Sequence, residues 1–381
     1  MKGVNREPGD PNYDLFRLAL KSTAQRLYPN YANVDWSGNA GYDINDPRTY
    51  FSTMGCRTAN GWDVNGLGQL KDGRGNICPT TIILPTIAME SCEKWAAQFD
   101  DKYKYVMELE EIFLEELDKA IHDAKDMLIE RFEWICSQSP ASARFMYENG
   151  LMAGYVPEEG IRSAVKHGTL ALGSLGLAEA LQILIDEDHT SPKGMALAKK
   201  IEALFKKRCA EFKEEYKLNF GVYYTPAENL CHTALEKFEE KYGVLEDISD
   251  KDFFTNSMHV PVWKEMSPFE KIDIESQLTG YSSAGCITYV ELDSGIKNNL
   301  DALETLVNYA MDKDIPYFAV NVPNDTCLTC GYCDEFNDHC PECGSTDIQQ
   351  LRRVTGYLTG NYTTAFNKGK QDEVRHRVKH K

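Results

Sequence analysis

This 381-residue chain has no apolar run approaching the roughly 20 residues that a membrane helix requires. Its first residues, MKGVNREPGDPNYD, lack the hydrophobic centre of a signal peptide. Both absences point to a cytoplasmic protein. Positive charge is in deficit as well. A net charge of −18 disfavours non-specific binding to nucleic acid or an anionic membrane, although clustered Lys and Arg could still hold a phosphorylated small molecule. No repeat occurs at solenoid or propeller periods, and no low-complexity tract interrupts the chain. What remains is ordinary globular composition, 42% hydrophobic and 26% charged, with length enough to bury a sizeable core in one large domain or two.

The 12 cysteines are unevenly placed: five fall between Cys327 and Cys343, and the rest are scattered. That distribution favours thiols and a metal in a reducing compartment over a disulfide framework. Ahead of this cluster the sequence alternates between strand and helix signals. Residues 1–55 are rich in Asn, Asp, Gly and Tyr and predict loop and short helix. ICPTTIILPTIAM reads as a buried strand, and residues 100–138 read as one long amphipathic helix or two. The glycines from Gly168 to Gly176 mark a tight turn or a helix packed close to another backbone. Ser191 and Pro192 open a helix, and LNFGVYYTPAENL is a strand leading into a loop. GCITYVELDSG, NLDALETLVNYAMDKD and YFAVNVPNDTC follow as strand, helix and strand. The order implies an α/β architecture with some parallel pairing. The last residues, NKGKQDEVRHRVKHK, read as a polar basic tail without a core face.

Cys327-x-x-Cys330, nine residues, then Cys340-x-x-Cys343 is the spacing by which two tight turns present four thiolates to Zn²⁺. A redox disulfide or another metal are the competing readings. Cys333 and His339 leave the ligand set open, with Cys327, Cys330, Cys340 and Cys343 preferred. Four protein ligands would close the coordination sphere, so this zinc would brace the fold and activate no water. About a dozen residues on, Gly356 stands in RRVTGYL, where an isolated glycine would be a turn former.

In context, that segment resembles the glycyl-radical loop of the anaerobic, class III ribonucleotide reductases. The likeness runs through YFSTMGCRT, GRGNICPTTIILPTIAME, KHGTLALGSLGLAEAL, YYTPAENL, TNSMHVPVWKEMSPFEK, TGYSSAGCITYVELD and the C-terminal FNKGKQDEVRHRVKH. It implies the second half of a ten-stranded α/β barrel over residues 1–325, with a finger loop near 50–60. A zinc knot, radical loop and tail would occupy 326–381. It implies that Gly356 stores the radical, since an α-carbon without a side chain can become planar and share the unpaired electron with both flanking amides. Cys56 would be the thiol from which Gly356 draws a hydrogen atom, leaving a thiyl radical that takes the ribose 3′-hydrogen. Outside that family, Cys56 would be an ordinary loop or buried cysteine. The family further implies ribonucleoside triphosphates as substrates, an activase using S-adenosylmethionine and an iron–sulfur cluster, a homodimer of the complete enzyme, and oxygen sensitivity.

Cys78, 22 residues after Cys56, departs from the pattern of relatives that oxidise formate. It is either a reducing thiol recycled by a thioredoxin-like protein, with formate as the alternative reductant, or a buried cysteine filling an apolar gap. His259 and Glu228 could position substrate or satisfy buried polar groups. Gly73–Asn76 (GRGN) could cradle a phosphate. Cys92, Cys136, Cys209, Cys231 and Cys286 read as structural. Family members are considerably longer, so the resemblance implies a split subunit or a fragment whose N-terminal half comes from another chain. A half-barrel with an open strand edge argues for such a partner. Three rivals remain: another glycyl radical enzyme, disfavoured because the chain has no adjacent Cys-Cys pair; a non-catalytic zinc-ribbon binding protein; and an inactive fragment.

Overall fold

The computed structural model of the chain describes residues 6–39, 42–43, 45–50, 53–55, 57–100, 107–336 and 338–381. Its centre is a run of parallel strands. β1 (Tyr31–Ala32) is short, and β2 (Thr80–Ile83), β3 (Thr169–Leu175) and β4 (Asn219–Val222) form one parallel sheet in that order. β5 (Thr288–Glu291) and β6 (Tyr317–Asn321) are parallel to each other, and β1 closes β6 from the far side in antiparallel register. A parallel bridge between Tyr223 and Gly285 joins the two sheets, so five parallel strands follow one another from β2 to β6. Among the described residues β2 pairs only with β3, which leaves its other edge without a strand.

β3 explains why these elements form. All seven of its residues are buried, so TLALGSL carries no polar alternation, as expected for a parallel strand covered on both faces. Gly173 lets the neighbouring chain approach: a Cβ there would lie 2.4 Å from the Tyr223 carbonyl oxygen. The long helices Leu109–Cys136 and Pro192–Tyr216 bury one stripe each against the sheet, among them Phe113, Leu117, Ile121, Leu128 and Phe132 of the first and Ile201 and Phe205 of the second. Ser191 caps the second helix by accepting the Gly194 amide at 2.9 Å. A separate core joins Phe16 and Leu20 of the helix Tyr13–Arg26 to Leu303, Val307 and Phe318. No helix among the described residues is long and apolar enough to cross a membrane.

Several expectations need correction. ICPTTIILPTIAM is not one strand: it turns helical at Leu84, where Pro85 sits at the first helical positions and the missing proline amide costs nothing. Between Gly168 and Gly176 lies strand β3, in which Gly173 serves close strand packing, and the expected tight turn is confined to Gly176, at φ +76° before the next helix. The helix Tyr13–Arg26, 14 residues long, exceeds the short helix expected before residue 55.

The C-terminal region is antiparallel. β7 (Asn324–Cys327), β8 (Cys333–Asp334), β9 (Ile348–Val354) and β10 (Tyr357–Thr359) make a small sheet in the order β10-β9-β7-β8. The tail is not a solvated appendage. It forms the helix Lys368–His376, with Gly369, Lys370, Asp372 and Glu373 buried, and returns to the barrel through the His380 amide on the Glu291 carbonyl at 2.8 Å. Its attachment is polar, which is why apolar periodicity does not reveal it.

Candidate functional site

β9 and β10 are joined by a two-residue turn, Thr355–Gly356, with Val354 opposite Tyr357. Thr355 has φ +52°, an unfavourable conformation for a β-branched residue, so surrounding contacts must hold it. One is the Tyr289 hydroxyl of β5, which donates to the Thr355 carbonyl at 2.8 Å. The two arginines of RRVTGYL anchor the strand before the turn. Arg352 makes a paired bond to Asp325, at 2.6 and 3.2 Å. Arg353 is buried and reaches Asn30 Oδ1 at 2.9 Å and the Leu27 carbonyl. Arg377 of the tail donates to the Arg353 carbonyl. Gly356 itself is exposed.

Cys56 lies outside the described residues, but its loop is framed on both sides. Met54 and Thr58 bridge each other, and the Ala59 amide donates to Ala284 at 2.9 Å. A Cβ on Gly285 would lie 2.0 Å from the Arg57 carbonyl oxygen, so only glycine admits the loop this close to the sheet. Arg57 is fully buried. Its guanidinium donates to the Tyr224 carbonyl at 3.1 Å, to Asn256 Oδ1 at 3.0 Å and to the Tyr289 hydroxyl at 3.4 Å. The residue after Cys56 and the residue before Gly356 therefore bond to one hydroxyl, that of Tyr289.

Behind Arg57 runs a buried polar chain. His259 Nε2 lies 3.5 Å from Arg57 Nη1, and His259 Nδ1 lies 3.3 Å from Glu275 Oε1. Glu275 is also bonded to Lys271 and to the Val260 amide. Burial outweighs the nearby carboxylate and lowers the His259 pKa to about 4. The ring is neutral at pH 7, and Arg57, which can only donate, assigns the free lone pair to Nε2 and the proton to Nδ1. Lys271, with His259, holds the Glu275 carboxyl well below the usual carboxylate range despite its burial. His259 and Lys271, with Thr355, Glu373, Arg377 and His380, line a cavity of about 40 Å³.

Glu228 is half-buried and follows Ala227 in a turn where both residues have positive φ, at +54° and +49°. Asn256 ties that turn to the segment carrying Arg57: its Nδ2 donates to the Thr225 carbonyl at 3.0 Å while its Oδ1 accepts from Arg57. GRGN is occupied structurally. The Gly73 carbonyl accepts Ala153, Arg74 is bonded to three carbonyls, and Asn76 pairs with Thr169. Cys78 is not drawn into the cluster at Tyr289. Its sulfur faces the Leu128 carbonyl at 3.9 Å in the helix Leu109–Cys136, and burial raises its pKa. Cys209, Cys231 and Cys286 are buried thiols pushed up to about 12. Cys92 and Cys136 are half-buried thiols whose pKa burial also raises.

The four sulfurs of Cys327, Cys330, Cys340 and Cys343 lie within 4.8 Å of one another, with 3.6 Å between Cys327 and Cys343 and between Cys330 and Cys340. Bonded sulfurs would be about 2.05 Å apart, whereas a tetrahedral ion with metal–sulfur bonds of about 2.3 Å places them about 3.8 Å apart. The donor set thus fits a metal such as zinc. Each pair ends in a glycine with positive φ, Gly331 at +77° and Gly344 at +73°, whose amide returns to the first cysteine's carbonyl at 2.9 Å. Cys333 stands apart, its sulfur 3.4 Å from Thr326 Oγ1, and His339 is exposed outside the set.

Sequence reasoning missed Arg57, Tyr289, Asn256, Glu275 and Thr355 as positioning residues. The one available signal was that polar residues occupy otherwise apolar or glycine-rich segments, as Arg57 does in MGCRT and Asn256 in TNSMH.

Comparisons with known proteins agree with this geometry. A family model described as anaerobic ribonucleoside-triphosphate reductase matches residues 1–380. The chain is 32% identical to the anaerobic ribonucleoside-triphosphate reductase of Haemophilus influenzae over 100% of its own length and 52% of that protein's. It is 34% identical to that of Enterobacteria phage T4, over 100% and 60%. A solved anaerobic ribonucleotide reductase shares its fold with TM-score 0.71 at 20% identity, covering 100% of this chain and 54% of that one. The chain spans between about half and three-fifths of the length of these relatives. On a family match that spans residues 1–380, the chain belongs to the anaerobic ribonucleoside-triphosphate reductase family.

Proposed function

We propose that this chain carries the radical-bearing part of an enzyme that reduces ribonucleoside triphosphates to deoxyribonucleoside triphosphates without oxygen. The observation that supports it most directly is the shared Tyr289 hydroxyl, which links the residue following Cys56 to the residue preceding Gly356. In this reading an activase using S-adenosylmethionine and an iron–sulfur cluster removes a hydrogen atom from the Gly356 α-carbon. The Gly356 radical takes the hydrogen of the Cys56 thiol, and the Cys56 thiyl takes the ribose 3′-hydrogen. Water leaves from C2′, two electrons enter from a reductant, and Cys56 returns the 3′-hydrogen. Tyr289 and Arg57 hold the two loops in register, and His259, Glu275 and Lys271 hold Arg57.

Zinc on Cys327, Cys330, Cys340 and Cys343 braces the sheet that presents Gly356 and takes no part in the chemistry. Residues 1–325 act as the half-barrel and 326–381 as the radical region. The free edge of β2 takes up the remaining strands, and the complete enzyme acts as a cytoplasmic homodimer. Formate or a thioredoxin-like protein supplies the electrons. The position of Cys78 against Leu128 weighs toward a reductant that does not pass through that thiol. Full multiple-turnover activity of Cys78→Ala with a redoxin would remove Cys78 from the scheme.

The deciding experiment is anaerobic electron paramagnetic resonance on the chain activated by a cognate activase, with ordinary and α-deuterated glycine incorporated. A doublet that collapses to a singlet on deuteration is expected. If no such signal forms even when the remaining barrel strands are supplied, the reading fails.

A further inference from the structure

A second site lies away from the Tyr289 cluster. A groove of about 420 Å³ opens between the helix Pro192–Tyr216, the turn Gly280–Ser283 and the segment around Asn60 and Lys71. Three lysines line it, Lys71, Lys206 and Lys213, and no carboxylate does among the described residues. Each ammonium touches only a backbone carbonyl: Lys71 on Asn60 at 2.7 Å, Lys213 on Trp62 at 2.7 Å and Lys206 on Gly280 at 3.0 Å.

The rest of the same helix behaves differently. Lys200 reaches Glu110 at 2.5 Å, Arg208 reaches Asp118 at 2.6 Å, and Lys207 lies 3.9 Å from Glu211. The cations facing the groove bond directly to no carboxylate among the described residues, and only at longer range do Asp63 and Glu214 act on Lys213. Arg74 adds to the excess: it is 4% exposed, its Nη2 has no partner, and its charge helps lower the pKa of both Lys71 and Lys213. Burial with that repulsion brings Lys71 to about 8. Of the two acids that act on Lys213, Asp63 is already bonded to Asn219 at 2.6 Å, the Leu67 amide at 2.9 Å and His167 at 2.9 Å, and Glu214 lies outside the groove lining. Lys71 and Lys213 are half-buried and Lys206 is exposed at the rim; half-buried like charges that bond to no carboxylate are unfavourable unless an anion completes the site.

We propose that this groove binds a polyphosphate-bearing small molecule, with Lys71, Lys206 and Lys213 contacting its phosphate oxygens. Several converging ammonium groups match a di- or triphosphate better than a single carboxylate, and lysine serves phosphate as a point charge. The half-buried Tyr281 ring, 5.7 Å from Lys206 Nζ, offers an apolar wall for a nucleoside attached to it.

Titration calorimetry on the whole chain would use tripolyphosphate, ATP and adenosine as probes. Tripolyphosphate and ATP are expected to bind and adenosine alone is not. The double variant Lys71→Met, Lys213→Met should weaken binding by at least tenfold, with Lys199→Met, whose lysine contacts Gln277 outside the groove, as the unchanged control. ATP binding more tightly than tripolyphosphate would assign the site to a nucleotide, and equal affinity to the polyphosphate alone. Absence of binding by both anions, or binding unaltered in the double variant, overturns the proposal. The readout needs neither activase nor radical, so its failure leaves the radical reading standing.

Discussion

The half-barrel and the C-terminal sheet are held together by different physics. In the barrel, Phe113, Leu117, Ile121, Leu128 and Phe132 are at most 1% exposed and form one continuous apolar core with the strands they cover. The C-terminal sheet has only a small cluster of Cys327, Phe336 and Cys340. It depends on four cysteines and on ion pairs: Arg352 with Asp325, Lys297 with Asp334, and, from the tail, Arg377 with Glu373 and Lys379 with Glu335. The contrast teaches that the scaffold is stable by burial, whereas the strands beside Gly356 rest on ion pairs and on a cysteine cluster that fits a metal.

Metal removal should break this comparison most. Structural zinc sites contribute on the order of 10 kcal/mol of folding free energy, so a strong chelator, or Cys340→Ser, should release the region from Asn324 onward. Limited proteolysis would then cut within that region while far-UV circular dichroism keeps the barrel's helical signal. Equal loss of both would mean that the two regions fold as one.

Arg352→Met comes next. It leaves Asp325, whose side chain is 0% exposed, buried without its cation. A loss of about 3–5 kcal/mol is expected, read as faster amide exchange in β7 and β9 with little change in β3.

Acid should act in the same direction. Burial lowers His259 to about 4 and His380 to about 3, against an ordinary value of about 6.5. Below pH 6.5 the unfolded chain takes up protons that the folded chain refuses. The stabilisation is therefore complete above pH 6.5 and declines toward pH 4, by up to about 1.4 kcal/mol per pH unit for each histidine. Melts at pH 7 and pH 5 should differ, and His259→Gln should flatten the difference.

The smallest effect on folding is expected from Tyr289→Phe. It removes the hydroxyl's bond to the Thr355 carbonyl and the longer one it accepts from Arg57, about 1 kcal/mol each, and shifts the melting temperature by only a few degrees. Radical yield should fall far more than stability does. A variant with undiminished glycyl radical would show that the shared hydroxyl does not position the loop.

Legibility in the sequence followed the nature of the signal. The Cys-x-x-Cys pairs were readable because each knuckle is local: a few residues and one glycine set the turn. The long helices were readable because burial repeats every three to four residues. β2 was readable only in part, since TTIILPTIAM is apolar in both its strand and helix portions and only Pro85 marks the change. The tail was misread because Lys370, Asp372 and Glu373 are buried through polar partners from remote segments, such as Asn229 for Lys370 and the Asp252 amide for Asp372.

By itself, the sequence determined the alternating architecture and the four-cysteine knot, because these rest on short spacings and local periodicity, and it made Cys56 and Gly356 candidates only through the resemblance of their segments to a known family. Only the tertiary structure decided that Arg57, Tyr289 and Thr355, separated by 232 and 66 residues, meet at one hydroxyl, and that Lys71 and Lys213 line one groove. Contacts of that kind are single polar meetings between remote segments, and unlike a helix's buried stripe they leave no periodic trace in the chain that makes them.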